Sequence, residues 1–208
     1  MRSSIRQLLR RTIQNSTYLR TLQNTEYQGQ AARPSKFASR TLAWIAIERT
    51  QQQGLVVYET NSYPGVLSTF YLALGARVIL NDPDEKLLNK VRNELHEGHG
   101  EFVRDSGSMD EADIIDLDPL SLPSSTDFLS AARTRAILVA TDASGINRRR
   151  NGPIPELFRE LAGSPQGRWN EEKREPEALW DAVARAAGRS VRHFICKSGS
   201  APAWYVVM

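Results

Sequence analysis

The chain has 208 residues, 40% of them hydrophobic, and a formal net charge of +3. That size suits one α/β domain with a small extension, and the composition is ordinary for a globular protein. No apolar run reaches the roughly 18 residues needed to span a bilayer. The single cysteine, Cys196, excludes an intramolecular disulfide and fits a reducing compartment.

The charge is unevenly spread. The first 25 residues carry Arg2, Arg6, Arg10, Arg11 and Arg20 and no acid. Ile5, Leu8, Leu9, Ile13, Leu19 and Leu22 lie near one helical face, which predicts a basic amphipathic helix, broken near Asn15. The start lacks the apolar region of a secretory signal, but it shares its Arg-rich, acid-poor character with mitochondrial presequences. The expected location is intracellular and cytoplasmic, with mitochondrial import left open. Residues 25–36 read as a linker, with Gly29 and Pro34 as breakers. The expected division is a basic helical extension over 1–36 and a folded domain over 37–208. A helix is predicted at about 37–52, with Phe37, Trp44 and Ile45 as its stripe and Arg40 one turn after Phe37.

From residue 54 the pattern changes. GLVVYE (54–59), ARVILND (76–82), EFVRD (101–105), ADIIDLD (112–118) and RAILVATD (135–142) are short apolar runs separated by helical stretches at 65–74, 84–97 and about 125–133. Strands apolar on both faces belong to parallel sheets covered by helices. Asp82 is the expected cap of the second of these helices, with Pro83 at its first position. Two further helices, at 155–162 and 176–187, precede SVRHFICK (190–197) and APAWYVVM (201–208), a predicted antiparallel hairpin. The expected fold is a doubly wound α/β sheet of seven strands, Rossmann-like, with a C-terminal antiparallel hairpin and an N-terminal helical extension. This plan resembles the class I S-adenosylmethionine-dependent methyltransferases.

Ligands of open α/β sheets bind beyond the carboxyl ends of the strands. Those ends carry Glu59, Asp82, Asp105, the pair Asp116 and Asp118, and Asp142. Five acid-bearing ends on one edge would repel one another unless used. Asp82 is placed for ribose hydroxyls, and Asp105 for an adenine amino group. Gly65 would let the backbone approach a ligand closely. Asp118-Pro119 has the acid-Pro form found where an exocyclic amine is methylated: the acid orients the amine and can take its proton. The plainer alternative is a turn former or helix cap before Pro119.

IIDLDPLSLP (114–123) is similar to the I-D-L-D-P-F-G-S-P segment of the tRNA guanine N2-dimethyltransferases. ETNSYPG (59–65), VILNDPDEKLLNKVRNEL (78–95), LVATDAS (138–144) and FASRTLAWIA (37–46) resemble further segments of that family in the same order, over about residues 37–145. The resemblance implies S-adenosylmethionine as cofactor, held by Arg40, Glu59, Ser62, Gly65, Asp82, Asp105, Ser106 and Asp116. It implies an exocyclic amine of RNA, guanine N2 of tRNA above all, as acceptor, with Asp118, Pro119 and Leu120 at the reacting group. Arg6, Arg10, Arg11 and the Arg148-Arg149-Arg150 run, read as a loop, would contact phosphates. The sequence departs from the family at Leu120, where the family has phenylalanine, and at Val66-Leu67, where it has an arginine. Those departures motivate the alternative of a catalytically inactive RNA-binding or assembly module with the same fold.

Among other residues, His96 and His99 have metal-like spacing, but a helix end before Gly98 is the preferred reading, and no metal is expected. Cys196 and His193 are expected in the core, with Trp44, Trp180 and Trp204. Trp169, in a polar segment, is the tryptophan expected to meet a base.

Overall fold

A computed structural model describes residues 34–48, 54–62, 65–99, 102–104, 107–119, 122–197 and 202–208. The expected basic helix, with Arg6, Arg10 and Arg11, lies outside them, as do Asp105, Ser106 and Leu120.

Seven strands form one sheet in the order β3-β2-β1-β4-β5-β7-β6. They are β1 (Val56–Thr60), β2 (Arg77–Asn81), β3 (Val103–Arg104), β4 (Ile114–Leu117), β5 (Ile137–Asp142), β6 (His193–Lys197) and β7 (Ala203–Val207). The first five are parallel, and β7 runs antiparallel to both β5 and β6. The helices are α1 (Pro34–Glu48), α2 (Val66–Ala73), α3 (Glu85–His99), α4 (Ser125–Ala132), α5 (Gly145–Arg149), α6 (Glu156–Leu161) and α7 (Pro176–Ala186).

The period of two along each strand sorts the core into two layers. Val57, Val78, Leu80, Ile114, Val139 and Val207 pack with α1, α2 and α3 on one face. Ile115, Leu117, Leu138, Ala140 and Val206 pack with α4, α6 and α7 on the other. All four residues of β4 and all six of β5 are buried, as expected of central strands covered on both sides. Phe128, Phe158 and Trp180 fill the second layer edge to face, with ring centroids 5.7–6.0 Å apart.

Local chemistry starts the helices. Gly65 caps α2 at φ 81°, a left-handed conformation that costs glycine nothing. Ser124 accepts the Asp127 N–H at 3.0 Å at the start of α4. Pro176 opens α7.

Several expectations are corrected. Pro34 begins a helix instead of ending a linker, because a first-turn proline lacks only an N–H that the helix would leave unpaired. The cap of α3 is Asp84, whose carboxylate accepts the N–H groups of Lys86 and Leu87 at 2.9 and 3.3 Å. Asp82 instead accepts the Asp84 N–H at 2.9 Å, a side-chain turn one step earlier. Helix α3 continues through Gly98 to His99. Arg148 and Arg149 lie in α5, not a loop. His193 and Cys196 are exposed, since β6 is the outer strand beyond β7. Trp169 is buried at 5% exposure against Phe158, not offered to a base.

Candidate active site

A reversal of strand order opens a crevice at the carboxyl edge of an open sheet. Here the reversal falls between β1 and β4, whose last paired residues are Thr60 and Leu117. Asp118 stands immediately beyond, and its N–H reaches Thr60 Oγ1 at 3.3 Å. The IDLDP segment therefore lies at the mouth of the crevice.

The pleat decides where each acid points. Glu59, Asp116 and Asp118 share the parity of Val57 and Ile114 and face α1 and α2. Asp142 has the parity of Ala140 and faces the opposite layer. Among the described strand-end acids, Asp142 is therefore set apart from Glu59, Asp116 and Asp118. Asp142, buried, accepts the indole N–H of Trp180 at 3.0 Å and the Ser144 N–H at 2.8 Å. Burial nonetheless holds its carboxyl above the usual range, against these bonds.

Arg40 enters this layer from α1 and is fully buried. Its guanidinium forks onto Asp116, with Nε 2.8 Å from Oδ2 and Nη2 on Oδ1. Nη2 also donates to Thr141 Oγ1 at 3.0 Å and lies 3.5 Å from Asp118 Oδ1. Nη1 donates to Ser39 Oγ at 3.0 Å. Four of its five N–H groups are thus taken by the protein. Tyr205 of β7 lies against the cation, 5.7 Å from its ring centre. Burial opposes the charge, but Asp116 and Asp118 more than offset it and hold the Arg40 pKa above its usual value. The Tyr71 hydroxyl donates to Asp116 Oδ2 at 2.8 Å. Burial first, and then Asp116, push that phenol well above its ordinary range.

Asp118 receives the Lys36 ammonium on Oδ2 and the Thr141 hydroxyl on Oδ1. The Lys36 and Asp118 side chains are 12% and 11% exposed, so this is the point at which the network meets solvent. Two cations, Lys36 and Arg40, face two carboxylates, Asp116 and Asp118. Glu59 lies deeper and accepts the Ser68 hydroxyl. Burial raises its pKa well above 4.5 despite that bond, and the nearby Asp116 and Asp118 add to the effect.

The sites expected to hold a donor are divided. Glu59, Arg40 and Asp116 are enclosed and partnered within the protein. Ser62 is buried and ties β1 to β2: its hydroxyl lies 3.1 Å from the carbonyls of Glu59 and Asn81 and accepts the Asn81 N–H at 3.0 Å. Asp82, half-buried just past β2, and Gly65, at the start of α2, flank the open side of the crevice. Pro119 follows Asp118 and precedes residues outside the described set. Sequence reading missed Lys36, Tyr71 and Thr141 in this network. The parity of Thr141 with Val139 was the available signal for the last.

Arg148 is turned inward. Its guanidinium packs on Trp169, 5.3 Å from the ring centre, and donates to the Arg174 carbonyl at 3.1 Å. Arg150 is exposed. Arg149, also exposed, belongs to the same turn. Among the described residues no group of acids, histidines or cysteines is arranged to hold a metal ion. No described helix is long and apolar enough to cross a membrane.

No family model matches the sequence, and no curated protein does. Solved structures do match. Magnesium protoporphyrin IX methyltransferase of Synechocystis PCC 6803, with bound SAH, aligns over 99% of this chain and 93% of its own, at 13% identity and a TM-score of 0.56. A candidate sarcosine dimethylglycine methyltransferase of Galdieria sulphuraria aligns over 85% of this chain and 69% of its own, at 13% identity and a TM-score of 0.56. A candidate RNA methyltransferase of Pyrococcus horikoshii aligns over 82% and 80%, at 20% identity and a TM-score of 0.50. At these identities the likeness is one of fold. Together with the strand order and its reversal at β1 and β4, it gives this chain the fold of the class I S-adenosylmethionine-dependent methyltransferases.

Proposed function

We infer that the chain is an S-adenosylmethionine-dependent methyltransferase acting on an exocyclic amine of a nucleic acid, with guanine N2 of tRNA or another RNA as acceptor. One observation carries the reading: at the switch-point crevice an amine, Lys36 Nζ, already sits on the carboxylate of the acid-Pro pair. The carboxylate is thereby oriented to accept an N–H donor from the solvent side, and an acceptor amine would replace Lys36 at Oδ2.

The residues present fit a donor on the β1–β2 side. Asp82 would accept ribose hydroxyls, and Gly65 would let the chain approach closely, having no side chain. Ser62 would hold the two strand ends at a fixed spacing. Asp105 and Ser106, outside the described residues, would belong to the same donor-binding set. When bound, S-adenosylmethionine supplies an electrophilic methyl group. Asp118 would orient the amine lone pair and take up the proton released, with Pro119 and Leu120 lining the acceptor. Arg40 would fix Asp116 and, through Thr141, the rotamer of Asp118. The charges on Arg6, Arg10, Arg11, Arg149 and Arg150 would favour a phosphate-bearing acceptor.

A second reading has its own support. Lys36, Arg40 and Thr141 together saturate Asp118, so the same geometry would suit an inactive RNA-binding module. Calorimetric titration of S-adenosylmethionine into wild-type protein and Asp82→Ala separates the two. The enzyme reading expects micromolar binding that is weakened in the variant. It also expects Asp118→Ala to lower labelled-methyl transfer to tRNA by about 10²–10⁴-fold. Absence of donor binding by the wild type would leave the inactive module.

A further inference from the structure

A second opening lies beyond the ends of β4 and β5. It is a pocket of about 560 Å³, lined by the segments after both strands and by α5 and α6. That volume is within the range of small-ligand sites. Leu122, Ile146 and Ile154 make its apolar wall, and Ile146 is 41% exposed although large and apolar. Arg150 and Arg159 also line it, both exposed. Neither guanidinium has a hydrogen-bond or ion-pair partner among the described residues. Glu156, also in the lining, offsets one of these two charges.

Ser144 lines the same pocket, 5% exposed, with its N–H held by Asp142 at 2.8 Å.

The pocket adjoins the acid-Pro pair. Thr141 donates to Asp118, and Ala143 and Ser144 of the pocket wall follow Thr141 by two and three residues. At no more than about 3.5 Å per residue, Ala143 and Ser144 lie within roughly 7–10 Å of Thr141. An acceptor with its amine on Asp118 would extend its next unit into this space.

We propose that this pocket binds one nucleotide of a single-stranded RNA. The base lies on Leu122, Ile146 and Ile154, and the phosphate meets Arg150 and Arg159. The proposal rests on the RNA-methyltransferase reading for the identity of the polymer. It divides the arginine run: Arg150 contacts phosphate, whereas Arg148 supports Trp169 and does not. It adds Arg159, which the sequence does not single out.

The test is fluorescence anisotropy with a labelled single-stranded hexaribonucleotide and the full chain, without donor. Arg150→Gln/Arg159→Gln should weaken binding about tenfold and make the salt slope shallower by about one. Ile146→Asp should weaken it about as much, since a stacked base is lost. Arg135→Gln, an exposed residue just before β5 at the amino edge, should bind like wild type. An unchanged affinity in the double variant overturns the proposal. So does an abasic hexamer that binds as tightly as the hexaribonucleotide, or an unaffected Ile146→Asp, because the pocket would then hold only an anion. Calorimetry with S-adenosylmethionine on the same proteins keeps the two conclusions apart. Donor binding intact in the double variant with RNA binding lost supports the pocket. A wild type that binds RNA through these residues but no donor retains the pocket and removes the enzyme reading.

Discussion

Replacing Arg40 with methionine tests whether α1 is docked by a buried charge network. Methionine keeps much of the volume but leaves Asp116 charged, fully buried and with the Tyr71 hydroxyl as its remaining side-chain donor. Removing one partner of a buried ion pair costs about 3–5 kcal/mol, because the other charge is left uncompensated. With a urea m-value of about 3 kcal/mol/M, the midpoint should fall by about 1–1.7 M at unchanged m. Burial limits ionic screening, so the same difference should persist at about 0.5 M sodium chloride. Asp116→Asn alone should also destabilise, while combining it with Arg40→Met should cost less than the sum of the two. The coupling between them should reach about 1–3 kcal/mol. The measurements are urea melts followed by tryptophan fluorescence. A midpoint shift below about 0.3 M, or additive single variants, would refute the network as the anchor of α1.

Three other substitutions have definite outcomes. Glu59→Gln keeps an acceptor for Ser68 and removes the titration. Because the folded pKa of Glu59 lies above its unfolded value near 4.5, its stabilisation is full below that value and declines as pH rises through the folded pKa. The thermal midpoint of Glu59→Gln relative to wild type should therefore rise with pH above about 4.5, and a flat difference would contradict the assignment. Asp142→Ala orphans the Trp180 indole N–H and the Ser144 N–H in the second layer and should cost about 2–3 kcal/mol in urea melts. Gly145→Ala would bring a methyl group within 2.2 Å of the Pro202 carbonyl oxygen. The segment entering β7 must then move, at about 1–3 kcal/mol, and a stability equal to wild type would show that this segment yields freely.

The fold was legible because its signals are local and repeated. IIDL and ILVATD are apolar on both faces, and that pattern has few homes outside a covered parallel sheet. SGS between two apolar runs fixed the antiparallel hairpin. Solvent position was less legible: HFICK has the composition of a core strand, yet its exposure depends on β7 inserting between it and β5. The site was partly visible. Asp118-Pro119 stands out, but Lys36 reads as linker because Pro34 before it reads as a breaker. Arg40 was matched by resemblance alone, as helical periodicity does not say that an arginine faces inward. Tyr71 lies in a helix whose residues Val66–Leu72 are all buried, so no polar stripe distinguished it. The pocket combines Leu122, Ser144, Ile146 and Arg159 from two loops and two short helices, a conjunction absent from any single window of sequence.

The placement of β7 has a consequence for how the chain folds. Strand β6 joins the sheet solely through β7, which follows it in the chain. When β1 to β5 have assembled, β5 still presents an open edge, and β6 has nowhere to pair. Until Ala203–Val207 insert, both the β5 edge and β6 carry unpaired backbone groups. Closure is therefore a non-local step, and the closed strands are packed by α1, which lies on β5, β7 and β6 from the far end of the described chain. An intermediate lacking that step would expose Ile137–Asp142, with the β-formers Ile137, Val139 and Thr141, to strands of other molecules. The protection of β5 against aggregation thus rests on a segment about 60 residues further along the chain.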